Sequence, residues 1–286
     1  MPYSVGYYPE AVVLEGKVFI GAGSSSDSKT IMVYTIEHDE WNVLPPYEYF
    51  WFGMTSINNS LILVGGVKED SDDRTNQLGV WDEKRQNWTH PFPQMPTACS
   101  GSTVVTYEDR WLMVAGGYTA TDAMLSSVEI LDIFTGYWYH ASPLPIRQYK
   151  MSSVIIGNMW YLLGGYIYYP NEHVLCACID DLIYKAVLQH NSPSPWQLLP
   201  DTPCSKPTAL VLNGSLLAVG GKAETNLKTI HLYQPSNKRW VEFGDLPIAK
   251  RECACAVLPS GEVFIAGGYG SMLSSDSQVH IGTLKN

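Results

Sequence analysis

Short apolar runs that end on closely spaced glycines divide this chain into six similar lengths. They are VFIGAG (Val18 to Gly23), LILVGG (Leu61 to Gly66), LMVAGG (Leu112 to Gly117), YLLGG (Tyr161 to Gly165), LLAVGG (Leu216 to Gly221) and VFIAGG (Val263 to Gly268). Their last glycines are spaced by 43, 51, 48, 56 and 47 residues. A period near fifty predicts repeated supersecondary units, each too small to bury its apolar face alone, so neighbours must pack together. A tryptophan follows in five of the six, at Trp41, Trp88, Trp138, Trp196 and Trp240. Seven positions before four of these stands Tyr34, Trp81, Leu131 or Tyr233.

Apolar and β-branched runs bounded by Gly, Pro, Asn and Asp read as strands. The first repeat predicts strands at Glu10 to Leu14, Lys17 to Ala22, Ile31 to Ile36 and Glu40 to Leu44, ending at Pro45-Pro46. Its first turn, Glu15-Gly16, has counterparts at Asn58-Asn59, Glu108-Asp109, Gly157-Asn158, Asn213-Gly214 and Ser260-Gly261. Asn-Gly is a strong hairpin signal because both central residues tolerate positive φ. The fourth repeat is irregular, with 31 residues from Gly165 to Trp196 against 18 to 22 elsewhere. Val174 to Ile179 is its expected third strand and 180–195 an insertion, with Leu182 to Leu188 as a rival strand.

These residues resemble the kelch repeat, and the resemblance covers nearly the whole chain. It implies an all-β, six-bladed propeller in which each repeat forms a four-stranded blade. The single domain spans 1–286, with repeats at about 8–45, 50–92, 98–142, 149–200, 206–244 and 252–286. Ala22, Trp81 and Leu131 depart from the repeat pattern, and the last repeat has no tryptophan. Met1-Pro2 aligns with the interblade linker Met95-Pro96, and Ser277 to Leu284 reads as the third strand of the last blade. The last blade therefore lacks its fourth strand within this chain. The expectation is a fragment or truncated product whose closing strand lies upstream.

Composition narrows the partners. A net charge of −10 disfavours nucleic acid, whose phosphates need a basic surface. No run of 18 apolar residues is present to span a membrane, and no secretory signal is visible, so a cytoplasmic location is expected. The hydrophobic fraction of 45%, with 18 Tyr and 9 Trp, suits packed blades rather than disorder.

In kelch propellers the loops joining strands 2 and 3 share one face with those joining strand 4 to the next blade (the 2–3 and 4–1 loops). The kelch domains that capture acidic peptides do so with Arg and Tyr on this face, and the resemblance implies candidates of that kind here. The candidate partner-binding residues are Tyr47, Tyr49, Trp51, Arg74, Tyr118, Arg147, Tyr149, Tyr166, Lys206, Arg251 and Tyr269. Phe50, Lys68, Tyr168, Tyr169 and Lys250 share these loops. Arginine offers a bidentate fork to carboxylates, and aromatic rings supply rigid contact area. Glu69, Asp70, Asp72 and Asp73 form an opposing acidic run, so a basic partner segment stays open as well.

Cysteines at 176 and 178, and at 253 and 255, form two C-x-C pairs within predicted strands, where residues two apart share a side. That spacing is wrong for common zinc sites and poor for a disulfide in a flat strand, so reduced, buried thiols are expected. Cys99 and Cys204 lie in 4–1 loops, where exposure of the thiol stays open. The seven histidines are scattered without metal-binding spacing, and neither a nucleophile elbow nor a phosphate loop is present. Sequons at Asn58, Asn87 and Asn213 read as chance.

The resulting reading is a non-catalytic module that binds a protein or peptide, without a cofactor. It resembles the propeller half of BTB–kelch adaptors that recognise substrates for a ubiquitin ligase. An alternative is a metal-dependent or sugar-acting kelch enzyme, with Asp70, Asp72, Asp73, Asp122, Glu172 and Asp276 as possible iron ligands. A cytoskeletal scaffold is the third reading.

Overall fold

The structure is a computed structural model that describes residues 1–3, 8–21, 30–68, 70–167, 174–178, 182–183, 186–187, 194–270 and 277–284. Ala22, Glu69, Tyr168, Tyr169, Glu172, His173, His190, Asp276 and much of 180–195 lie outside the described residues. Six antiparallel sheets, each in sequential strand order, form the blades of an all-β propeller. Five have four strands and the last has three.

The innermost strands are Glu10–Leu14, Gly53–Ile57, Thr103–Tyr107, Ser152–Ile156, Thr208–Leu212 and Ala254–Val257. Each packs beside its counterparts in the two adjoining blades, and the first blade meets the sixth, so the ring closes. In blade one the strands are Glu10–Leu14, Lys17–Gly21, Ile31–Thr35 and Glu40–Val43, within a residue or two of the ends expected from sequence. In blade four Val174–Cys178 is the third strand, whereas Leu182, Ile183, Ala186 and Val187 are helical. Leu182 and Ala186 are buried against the blade three–four core, which accounts for the apolar run without a strand. Val279–Gly282 is the third strand of blade six.

The hydrophobic core is distributed. Six buried clusters occupy the six interfaces between successive blades, including the one between blades six and one. Each blade thus buries both faces against neighbours, as a repeat unit with no core of its own must.

The recurring tryptophans stitch these interfaces. Trp88, Trp138, Trp196 and Trp240 donate their indole N–H groups to carbonyls of Pro45, Pro93, Ser142 and Pro200, each at the end of the preceding blade. The seven-residue spacing is a cross-strand pair: Tyr34 faces Trp41, Trp81 faces Trp88, Leu131 faces Trp138, and Tyr233 faces Trp240. The glycine pairs make a second clasp. The second glycine donates its N–H to a carbonyl in the next blade's entry loop, from Gly66 to Cys99, Gly117 to Gln148 and Gly221 to Lys250, at 2.8–3.0 Å.

Candidate partner-binding site at the channel mouth

Every blade admits the chain to its innermost strand through one residue with a left-handed backbone, two positions before the strand begins. These residues are Tyr8, Trp51, Gly101, Lys150, Lys206 and Glu252, with φ between 52° and 61°. That conformation costs a non-glycine residue about 1–2 kcal/mol, yet five of the six are not glycine. Such a repeated cost marks positions where side-chain chemistry outweighs local comfort. The preceding residue pairs with the residue after the glycine doublet, joining Phe50 to Val67, Ser100 to Tyr118, Tyr149 to Tyr166, Ser205 to Lys222 and Arg251 to Tyr269. In these five blades the 4–1 loop is thereby laced to the 2–3 loop of its own blade. The left-handed residues surround the mouth of a central cavity of about 230 Å³.

Charge at this mouth is unevenly matched. Glu252 accepts the Tyr8 hydroxyl at 2.6 Å and lies 3.3 Å from the Lys206 ammonium and 3.8 Å from Arg251 Nε. Lys206 also donates to the Tyr166 hydroxyl at 2.6 Å. Glu252 and Lys206 are thus mutually satisfied. Lys150 has no hydrogen-bond or ion-pair partner for its ammonium among the described residues. Its Nζ lies over the rings of Trp51 at 3.5 Å and Tyr8 at 4.4 Å. Burial pushes its pKa down to about 8, and the Lys206 charge adds to the fall, while Glu252 opposes it. The buried Trp51 Nε1 beside it also lacks an acceptor. A half-buried ammonium and a buried indole N–H thus lie side by side at the cavity mouth.

An aromatic belt extends outward from this point. Arg74 lies over Tyr118, and Tyr118, Tyr149 and Tyr166 follow at centroid spacings of 5.1 Å. Tyr166 meets Tyr8 edge-on at 5.8 Å. On the far side Arg251 stacks on Tyr269 and donates to Asn226, whose amide holds the Tyr269 and Gly270 carbonyls.

Of the residues expected from sequence, Trp51, Arg74, Tyr118, Tyr149, Tyr166, Lys206, Arg251 and Tyr269 are thus placed on or beside this mouth. Tyr47 is buried between blades one and two, its ring against Gly79, and Tyr49 packs against it. Arg147 is exposed and outside the cavity lining. Lys250 is buried and donates to the Gly267 carbonyl. Asp72, in the acidic run, pairs with Arg74 at 2.7 Å. Cys99 and Cys204, for which the loops left exposure open, are buried against Gly117 and Gly221. Burial pushes the Cys99 thiol up to about 12, which removes it as a reactive group. Among the described residues no three acidic, histidine or cysteine side chains group to hold a metal ion. No helix is long and apolar enough to cross a membrane.

Sequence reasoning missed Tyr8, Lys150, Glu252 and Glu10. A signal existed: the left-handed residue stands 14 or 15 positions before the position of the first glycine of each doublet, Ala22 in blade one. Aligning the repeats on that offset collects the whole mouth.

Glu10 lines the channel below the mouth, where its carboxylate accepts the Met54 N–H at 2.6 Å. Enclosure by the inner strands pushes its pKa up to about 8 from an ordinary 4.5. The folded state then holds a proton that the unfolded chain releases, so this group's stabilisation is complete below about pH 4.5 and is lost as pH rises to about 8. Urea unfolding across that range is expected to show the decline in the parent protein and a flatter profile in Glu10→Gln.

Comparison with known proteins agrees with this architecture. The KLHDC2/KLHL20/DRC7 Kelch-repeats domain matches residues 52–268. Kelch-like protein 23 of Homo sapiens is 21% identical over 233 residues, covering 79% of this chain and 38% of that protein. Kelch repeat and BTB domain-containing protein 12 of Homo sapiens is 26% identical over 176 residues, covering 54% and 28% respectively. Kelch repeat and BTB domain-containing protein 1 of camelpox virus is 19% identical over 272 residues, covering 92% and 45%. The chain spans about two-fifths of the length of the Kelch-like protein 23 relatives. The solved structure of YjhT superposes with a TM-score of 0.80 at 14% identity, covering 100% of this chain and 97% of its own, a likeness of fold. With six antiparallel blades in sequential strand order and a family match over most of its length, this chain belongs to the kelch-repeat family.

Proposed function

We propose that this propeller is a recognition module that binds a protein or peptide on its 2–3 and 4–1 loop face, with an acidic group of the partner seated at Lys150. The half-buried Lys150 ammonium, which has no hydrogen-bond or ion-pair partner among the described residues, carries this reading. A partly desolvated charge is costly, and a carboxylate from a partner would offset that cost. The tyrosine belt supports it as rigid, amphipathic contact surface around the anchor. Delivery of the bound protein to a ubiquitin ligase extends the same reading to a longer protein, and co-purification of ligase subunits tests that extension.

The face itself is tested by site-specific photocrosslinking. A benzophenone amino acid at Tyr149 is expected to crosslink a partner from native lysate, and one at Tyr137, exposed on an outer strand, is not. Crosslinks from position 137 alone would move the interface away from the mouth.

A further inference from the structure

The second C-x-C pair is built differently from the first. Cys176 and Cys178 both lie inside a regular strand, paired with Tyr161 and Met159. Cys253 precedes its strand, whose pairing begins at Ala254 with Ala266, so no ladder partner fixes it, while Cys255 faces Ile265 within the ladder. Both line the central cavity. Their sulfurs are 3.6 Å apart, and the Thr208 hydroxyl of the adjoining blade lies 3.6 Å from Cys253 Sγ. That hydroxyl also holds the Cys253 carbonyl at 2.7 Å, leaving the side chain to rotate on a pinned backbone.

We propose that Cys253 and Cys255 form a dithiol site on the channel wall that reacts with small hydroperoxides, Cys253 attacking and Cys255 resolving. The Cys253 thiolate attacks the terminal peroxide oxygen and the O–O bond breaks. The departing alkoxide or hydroxide takes a proton from solvent, and Cys253 becomes a sulfenic acid. The Cys255 sulfur then attacks the Cys253 sulfur, the S–O bond breaks, and the hydroxyl leaves with the Cys255 proton as water. Two thiols and one hydroperoxide give one disulfide, one alcohol or water, and one further water. The 3.6 Å gap must close to about 2.05 Å, a movement the unpaired Cys253 permits.

The surroundings favour the assigned roles. The hydrogen bond from Cys255 holds the Cys253 thiol below its usual range against the opposing effect of burial, with Thr208 and the buried Lys250 charge assisting. The same arrangement pushes Cys255 well up, as a resolving thiol that keeps its proton until attack. Cys99 supplies an internal contrast, being equally enclosed but carrying a thiol with almost no thiolate at neutral pH.

The test is peroxide treatment of the folded protein, followed by thiol blocking, proteolysis and mass spectrometry. The peptide bearing 253 and 255 is expected to lose two hydrogens, at a rate at least about tenfold above modification of Cys99. In Cys255→Ser, dimedone is expected to trap a sulfenic acid at Cys253, and in Cys253→Ser position 255 is expected to stay reduced. Thermal melting confirms that each variant is folded. Oxidation at Cys253 no faster than at Cys99, or both thiols still free after peroxide, would overturn the proposal.

Discussion

Gly116→Ala is expected to lower the stability of the propeller by about 3 kcal/mol or more in urea unfolding. Gly116 has φ of 63°, and an added Cβ would collide with the Gln148 carbonyl and approach Met151 Cε to 2.7 Å. That carbonyl belongs to the next blade and already accepts the Gly117 N–H at 3.0 Å. Alanine must therefore distort a left-handed backbone or displace a neighbouring blade and orphan a buried donor. Gly16→Ala is the matched control. Its φ is 74°, but no atom lies within 4 Å of an added Cβ, so only the conformational cost of about 1 kcal/mol applies. If both substitutions cost the same, the doublets would act through local conformation and not as clasps between blades.

Lys150→Met is expected to have opposite effects on stability and recognition. Methionine fills a similar volume between Trp51 and Tyr8 and makes favourable sulfur–ring contacts. It removes an ammonium whose burial lowers its pKa from 10.5 to about 8. The unfolded chain holds a proton that the folded state gives up between those values, so stability rises with pH from about 8 to 10.5. The variant is expected to lose that rise and to gain about 1–3 kcal/mol at neutral pH. It is also expected to lose the partner, because the anchor charge is gone. A destabilised variant would identify Lys150 as a structural group held by its two rings.

The fold was legible because each of its devices is local and repeated. The run from Lys17 to Gly21, the Asn213-Gly214 turn and the Trp138–Leu131 pair each require only residues close in sequence. The mouth was legible only in part. Tyr118, Tyr149 and Tyr166 stood out as aromatics in the right loops, but nothing near Lys150 in sequence reveals that Trp51 and Tyr8, from other blades, enclose it. Tyr47 looked equivalent to these tyrosines, yet Gly79 opens a slot for its ring in the interblade core. Cys99 and Cys204 sit in loops by sequence and are buried because their side chains pack against Gly117 and Gly221, where the missing Cβ leaves room.

The most direct test of the acidic-anchor account is quantitative affinity capture from native lysate with the parent protein and three folded variants. Lys150→Glu reverses the anchor, Lys150→Arg keeps its charge, and Arg85→Glu alters an exposed charge in a strand 3–4 turn on the opposite face. The account predicts that a partner recovered with the parent falls at least about tenfold with Lys150→Glu, equivalent to about 1.4 kcal/mol. It predicts retention of that partner with Lys150→Arg and Arg85→Glu. Undiminished capture by folded Lys150→Glu would contradict it.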